Sequence, residues 1–166
     1  MVATVMSNYG LDIALEQLHG RVVRTAVGDR YVVEEMVLGG YNLGGEQSGH
    51  VVMLDHSTTG DGILTLLQIL AIMVEKGQSL SELLGTFQRF PQVLVNVEVP
   101  GKRPFESFPG LQDRISAAEK ELRGKGRLLI RYSGTEPLAR IMVEGESEER
   151  SRQIGEEIAE IIRRSC

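Results

Sequence analysis

Three of the five prolines in this 166-residue chain lie between positions 100 and 109, beside Gly101 and Gly110. Proline fixes its own φ angle and cannot donate a ladder hydrogen bond, so this stretch favours turns over a regular element. Boundaries between domains tend to fall in such segments. We therefore expect two domains, residues 1–99 and 100–166, with the boundary placed to within about ten residues.

Strand and helix patterns alternate on both sides of this boundary. Strands are predicted at 2–6, 21–27, 51–54, 93–99, 128–132 and 139–144. Helices are predicted at 11–18, 31–37, 63–75, 79–84, 111–122 and 146–164. The segment 39–49 contains five glycines, and we expect no regular element there because glycine weakens helices and strands. The order of elements predicts two α/β or α+β domains.

The composition of the chain argues against some classes of binding partner. The formal net charge is −5 and the chain has no dense Lys/Arg run, which argues against nucleic acid as a partner. The longest apolar run, around 63–74, is shorter than the roughly 20 residues that cross a bilayer, and the N-terminus does not resemble a signal peptide. The single cysteine, Cys166, permits no disulfide within the chain. We therefore expect a cytoplasmic protein without a membrane partner.

The loop at 44–50 combines a carboxylate, an amide, a hydroxyl and an imidazole. Glu46, Ser48 and His50 offer donors and acceptors close together. Sugar hydroxyls both give and accept hydrogen bonds, so this set suits a sugar ring. The alternative is a polar turn between a helix and a strand.

The segment from Arg131 to Arg140 suits a phosphate group. Ser133, Gly134 and Thr135 lie between the two arginines, and a glycine-containing turn can converge its backbone N–H groups. Guanidinium groups bind phosphate oxygens in pairs. The alternative is a hairpin turn with an incidental surface arginine.

A third polar segment carries three residues of metal-ligand types, Asp55, His56 and Asp61. Their spacing does not match a known ligand pattern. Asp61 instead precedes an apolar helical run, where aspartate commonly caps the helix. We therefore favour a cap over a metal site here.

The three loops together resemble the signature loops of the α-D-phosphohexomutase superfamily. The resemblance rests on Gly-Glu-Gln-Ser-Gly-His at 45–50, Thr-Thr-Gly-Asp-Gly at 58–62 and Arg-Tyr-Ser-Gly-Thr-Glu-Pro at 131–137. Gln47 and Gly134 resemble the phosphoglucosamine mutase branch, because other branches usually carry Met and Asn at these positions. The resemblance covers nearly the whole chain and implies the C-terminal half of such an enzyme.

The resemblance implies a mixed-sheet α/β domain 3 at 1–99, followed by a smaller α+β domain 4 at 100–166. Domain 3 would bind sugar hydroxyls through Glu46, Ser48 and His50, and His50 could also transfer a proton. Domain 4 would bind phosphate. Its implied ligands are Arg131, Ser133, Gly134, Thr135 and Arg140.

Enzymes of this branch are isomerases that interconvert glucosamine 6-phosphate and glucosamine 1-phosphate through a bisphosphate. The reaction lies on the route to UDP-N-acetylglucosamine and peptidoglycan. The family's phosphoserine loop and its acidic Mg²⁺ loop do not occur in this sequence. The resemblance therefore implies a fragment that binds hexosamine phosphate, needs domains 1 and 2 for catalysis, and holds no metal itself.

The sequence is also consistent with other functions and with self-association. One alternative is a fragment of a phosphomannomutase or phosphoglucomutase. Another is a non-catalytic module that binds phosphosugars. An exposed apolar edge on the first domain would favour self-association, for example as a homodimer.

Overall fold

The computed structural model describes residues 1–85 and 87–166. Its strands are β1 Val2–Thr4, β2 Val23–Thr25, β3 Leu43–Gly45, β4 Val51–Met53, β5 Gln92–Glu98, β6 Gly126–Tyr132 and β7 Leu138–Gly145. Its helices are α1 Gly10–Gln17, α2 Asp29–Gly39, α3 Gly62–Lys76, α4 Leu80–Leu84, α5 Leu111–Leu122 and α6 Glu148–Arg164, with a short 3₁₀ turn at Phe105–Ser107. Across these described residues, no helix is both long enough and apolar enough to cross a membrane.

The chain forms two compact units, Met1–Arg89 and Phe90–Cys166. This division comes earlier than the predicted boundary between 99 and 100. Strand β5 pairs with β7 from Gln92 to Glu98, so its hydrogen bonds lie in the second unit. The sequence prediction had assigned this strand to the first domain.

The first unit has a mixed sheet with the strand order β2-β1-β3-β4. Strand β1 runs parallel to both β2 and β3, whereas β3 and β4 are antiparallel. Parallel neighbours need crossover connections, which α1 and α2 provide. This arrangement confirms the predicted mixed-sheet α/β class. It also brings the carboxyl ends of β1, β2 and β3 to one edge, where ligands usually bind in open α/β sheets.

Strand β3 lies within the glycine-rich segment where the sequence predicted no regular element. Gly44 pairs with Val2 and Val52 in the sheet and is buried. A Cβ atom on Gly44 would lie only 2.3 Å from Met36 Sδ. Close packing against α2 therefore accounts for glycine in this strand. The expectation of an irregular segment was wrong because strand β1, which pairs with β3, lies some forty residues earlier in the chain.

Helix α3 is apolar along its length, yet none of its residues from Gly62 to Lys76 is buried. Ile63 is 74% exposed and Val74 is 84% exposed. The main buried cluster of the first unit lies elsewhere, and consists of Val2, Val32, Met36 and Val52. Helix α3 is therefore held by its ends and by partial packing rather than by a buried face.

The second unit is an antiparallel sheet of order β5-β7-β6 with α5 and α6 packed on one face. Side chains alternate along β5, so Val93, Val95 and Val97 are buried and the residues between them are exposed. Helix α6 contributes the buried residues Ile154, Ile158 and Ile162. This unit is the predicted α+β domain and has the larger aliphatic core.

Residues near the C-terminal end of this chain contact the segment that precedes α5. The Arg103 guanidinium donates a hydrogen bond to the Ser165 carbonyl and lies 4.0 Å from the centre of the Phe108 ring. Cys166 is exposed, and it lines a shallow cavity together with 100–103.

Candidate functional site

The loop at 46–50 joins β3 to β4 at the carboxyl edge of the first sheet. Two backbone hydrogen bonds close it, from Glu46 N–H to the His50 carbonyl (2.9 Å) and from Gly49 N–H to the Glu46 carbonyl (3.1 Å). Gly49 has a φ of 104°, which glycine adopts at little cost. The tight turn brings the side chains of Glu46, Ser48 and His50 together.

The Glu46 carboxylate is the centre of this loop. Its Oε1 accepts a hydrogen bond from the Gly28 N–H at 3.0 Å. Its Oε2 accepts one from Ser48 Oγ at 3.4 Å and lies 3.1 Å from His50 Nδ1. Only 9% of the Glu46 side chain is exposed, against 60% for His50. Glu46 therefore orients its neighbours, while His50 presents its ring to solvent.

The contact with Glu46 fixes the role of each ring nitrogen of His50. An ionised carboxylate can only accept, so Nδ1 carries the proton in this contact. In the neutral ring, Nε2 is then the acceptor. This arrangement suits acceptance of a proton or hydrogen bond from a ligand hydroxyl.

A cavity of about 480 Å³ lies beside the loop within the first unit. Its polar lining includes Ser7, Asn8, Gln47 and Arg89 in addition to Glu46 and His50. The volume is in the range of small-molecule sites. The Gln47 amide belongs to the polar set that the sequence predicts to suit a sugar ring, whereas no sequence motif marked Arg89.

Arg24 fixes the loop after β1 that borders this cavity. Its Nη1 donates to the carbonyls of Thr4 (3.0 Å) and Ser7 (2.8 Å), and its Nη2 pairs with Asp12. These contacts join β2 to the end of β1 and the start of α1. They hold Ser7 at the carboxyl edge of the sheet.

The third loop has the structural role that the sequence favoured. Asp61 caps α3, since its Oδ1 accepts from the N–H groups of Ile63 (2.9 Å) and Leu64 (3.0 Å). Asp55 accepts from Asn42 Nδ2, and His56 lies near Gln68 instead. Within residues 1–85 and 87–166, no three His, Cys, Asp or Glu side chains form a group suited to a metal ion.

The turn at 133–137 connects β6 to β7 in the second unit. Ser133 is 2% exposed, and its N–H donates to the Leu138 carbonyl at 2.8 Å. Its Oγ accepts from the Glu136 N–H (3.3 Å) and donates to Glu136 Oε2 (3.4 Å). Ser133 thus stabilises the turn from inside, while Gly134 and Thr135 are exposed at its tip.

Arg131 and Arg140 are direct partners in the β6–β7 ladder, so their side chains lie on the same face of the sheet. Two cations in opposite positions repel each other unless an anion lies between or beside them. Arg140 Nη2 is paired with the Glu136 carboxylate. Among the described residues, the Arg131 guanidinium has no hydrogen-bond or ion-pair partner, and Arg140 Nε is buried without one.

A second cavity, of about 260 Å³, adjoins this turn. Its lining comprises 99–102 and 134–137. Lys102 therefore adds a cation near Gly134 and Thr135. The sequence reasoning did not name Lys102, although a basic residue in a Pro- and Gly-rich segment was an available signal.

Comparison with models of known protein families identifies the family of both units. The model for phosphoglucomutase/phosphomannomutase alpha/beta/alpha domain III matches residues 1–90, and the model for the C-terminal domain of the same family matches residues 94–161. The chain belongs to the phosphoglucomutase/phosphomannomutase family. The family resemblance of the three loops is thereby confirmed.

Curated members of the family include a phosphoglucosamine mutase from Syntrophotalea carbinolica that is 56% identical to this chain over 164 residues. The match covers 99% of the chain and 36% of that relative. A phosphoglucosamine mutase from Anaeromyxobacter dehalogenans is 57% identical over 165 residues, with the same shares covered. The chain thus spans about a third of the length of these relatives.

Solved structures confirm the fold of the family. N-acetylphosphoglucosamine mutase from Aspergillus fumigatus matches with a TM-score of 0.80 at 24% identity, over 99% of this chain and 38% of that one. The same fungal enzyme has been solved in complex with GlcNAc-6P and magnesium, and that structure matches with a TM-score of 0.77 at 23% identity, over the same shares.

Proposed function

We propose that this chain forms the sugar-phosphate-binding portion of a phosphoglucosamine mutase, which interconverts glucosamine 6-phosphate and glucosamine 1-phosphate. The observation that carries this proposal is the pair of facing arginines, Arg131 and Arg140, beside a glycine-containing turn. The relatives named phosphoglucosamine mutase, at 56% and 57% identity, support the choice of substrate.

In this proposal the turn of the second unit binds the phosphate that is not being transferred. Arg131 and Arg140 supply charge-assisted hydrogen bonds. The exposed N–H groups of Gly134 and Thr135 contribute further donors, as in other backbone sites for anions. The Ser133 hydroxyl joins them once it leaves Glu136, to which it donates a hydrogen bond in this structure.

The loop of the first unit binds the ring hydroxyls. Ser48 and His50 are exposed and can turn toward a ligand, while the buried Glu46 orients both of them. His50 Nε2 is the group that would accept a proton from a sugar hydroxyl. This placement supports the proton-transfer role that the sequence left open for His50.

Turnover needs groups that this sequence does not contain. Phosphoryl transfer requires a donor and electrostatic stabilisation of the transferred group, which in this family come from a phosphoserine and Mg²⁺. We assign both to domains 1 and 2, outside this chain. The fungal structure with magnesium supports Mg²⁺ as the family's ion. The chain alone should bind hexosamine phosphate and turn over none.

Two further parts of the proposal concern the cell and the assembly. We place the protein in the cytoplasm, because a single cysteine is typical of proteins from reducing compartments.

Self-association as a homodimer is supported by the exposed apolar side chains of α3.

Titration followed by NMR tests the assignment. Glucosamine 6-phosphate should shift the amides of 44–50 and 131–140 more than glucosamine or inorganic phosphate alone does. Competition with glucose and mannose phosphates distinguishes the phosphoglucosamine mutase from the phosphoglucomutase and phosphomannomutase alternatives. A response limited to inorganic phosphate would favour a simple phosphate-binding module.

Arg131→Ala provides the matching prediction. It should weaken binding of glucosamine 6-phosphate by about 1.5–3 kcal/mol, because it removes hydrogen bonds from a charged donor. Arg152→Ala is the control, since Arg152 lies on α6 and is 61% exposed. Equal affinity for the Arg131→Ala variant and the original chain would contradict the phosphate assignment.

A further inference from the structure

The Glu136 carboxylate occupies the groups that the proposed function assigns to the phosphate. Its Oε2 accepts hydrogen bonds from Arg140 Nη2 and from Ser133 Oγ. Both donors belong to the proposed phosphate site. The turn therefore contains an anion of its own.

Glu136 accepts a hydrogen bond from only one of the donor nitrogens of Arg140 that the phosphate could reach. Arg140 Nε is buried and lacks a hydrogen-bond partner within the described residues. A guanidinium presents Nε and Nη as a fork that suits two oxygens of one anion, and a buried donor without a partner is unfavourable. A phosphate has enough oxygens to reach both nitrogens, whereas Glu136 reaches one.

The two side chains also differ in their freedom to move. Glu136 is 51% exposed, so its carboxylate can rotate into water. Arg140 is 28% exposed and projects from a strand that is paired on both sides. An incoming phosphate would therefore displace the glutamate and leave the arginine in place.

We propose that Glu136 is a built-in competitor that holds Arg140 and Ser133 until a phosphate dianion displaces it. The inference rests on the proposed function, because the phosphate must bind at this turn. Its consequence is a lower affinity for every anion that binds at Arg140, because each must first replace Glu136. A carboxylate can bridge Nε and Nη of Arg140, while a phosphate dianion with three free oxygens can do so and also interact with Arg131.

Glu136→Gln tests the competition, with inorganic phosphate and acetate as probes. The amide keeps the shape of the side chain and removes its charge. Because exposed ion pairs are weak, the dissociation constant of phosphate should fall by only about two- to fivefold. Acetate binding should strengthen by a similar factor, because acetate must displace the same carboxylate. Glu119→Gln on α5 is the control for net charge and should change neither constant.

The Nε–Hε resonance of Arg140 provides a second measurement. Phosphate should shift it in the original chain, and Glu136→Gln should shift it without phosphate. Glu136→Asp serves if the glutamine variant folds poorly, because the shorter side chain keeps its charge but withdraws from Arg140. It should show a smaller gain in phosphate affinity.

The outcomes separate the two proposals. Unchanged or weaker phosphate binding by Glu136→Gln, with Arg131→Ala still impaired, overturns the competitor role and leaves the proposed function intact. Phosphate binding by Glu136→Gln but not by the original chain supports the competitor role strongly. No phosphate binding by either protein overturns both proposals.

Discussion

At the scale of single residues, Glu46 shows how one largely buried carboxylate can organise a loop. Its two oxygens accept from the Gly28 N–H, Ser48 Oγ and His50 Nδ1, and almost none of its surface is exposed. The sequence pointed to the residue types of this loop. It could not supply the internal role of Glu46, because Gly28 comes from a turn 18 positions away.

Glu46→Gln should weaken binding of glucosamine 6-phosphate by about fivefold and leave inorganic phosphate unaffected. The amide presents an N–H group where Ser48 and His50 need an acceptor, and loss of a hydrogen bond of this kind costs about 1 kcal/mol. Comparative titration of the two ligands measures the effect. A parallel loss for inorganic phosphate would indicate a general disturbance of the fold.

At the scale of elements, the sequence predicted features that depend on neighbouring residues, but it did not predict pairing between strands that are distant in the chain. The Asp61 cap and the helix predicted at 63–75 depend on neighbours in sequence, and the structure has both of them. Strand β3 was missed because its sheet partner β1 lies some forty residues earlier in the chain. The first strand of the second unit was assigned to the wrong side of the boundary because its partner, β7, lies some forty residues further along the chain.

Asp61→Ala should destabilise α3 by about 1 kcal/mol, since it removes an acceptor for two backbone N–H groups. Hydrogen exchange of the backbone amides of Ile63 and Leu64 should accelerate before that of the other amides of α3. Asp61→Asn is the matched control, because asparagine caps helices about as well. Equal acceleration in both variants would mean that the charge, and not the cap, stabilises this end.

At the scale of the whole molecule, the two units differ in how much aliphatic surface they bury. The core of the second unit includes side chains from both helices and all three strands, with Ile154, Ile158 and Ile162 fully buried. The first unit has a smaller cluster and leaves α3 exposed. Because burial of apolar side chains is the main stabilising term, the units should differ in stability.

We therefore expect two unfolding transitions in urea, with the first unit opening before the second. Ile158→Ala should lower the free energy of unfolding of the second unit by about 2–5 kcal/mol, the cost of a cavity in a packed core. Hydrogen exchange followed by mass spectrometry can assign each transition to its peptides. If all peptides instead follow a single transition, and Ile158→Ala shifts that transition for every peptide, the two units unfold together.

The contact between Arg103 and Ser165 has a practical consequence for spectroscopy. It keeps the exposed thiol of Cys166 next to 100–103, and Lys102 in that segment lines the cavity beside the proposed phosphate turn. Since the sequence contains one cysteine, a thiol-reactive fluorophore would attach at one position without mutagenesis. Its emission would follow rearrangements of this segment in real time, so the protein carries its own attachment point for an optical phosphate sensor.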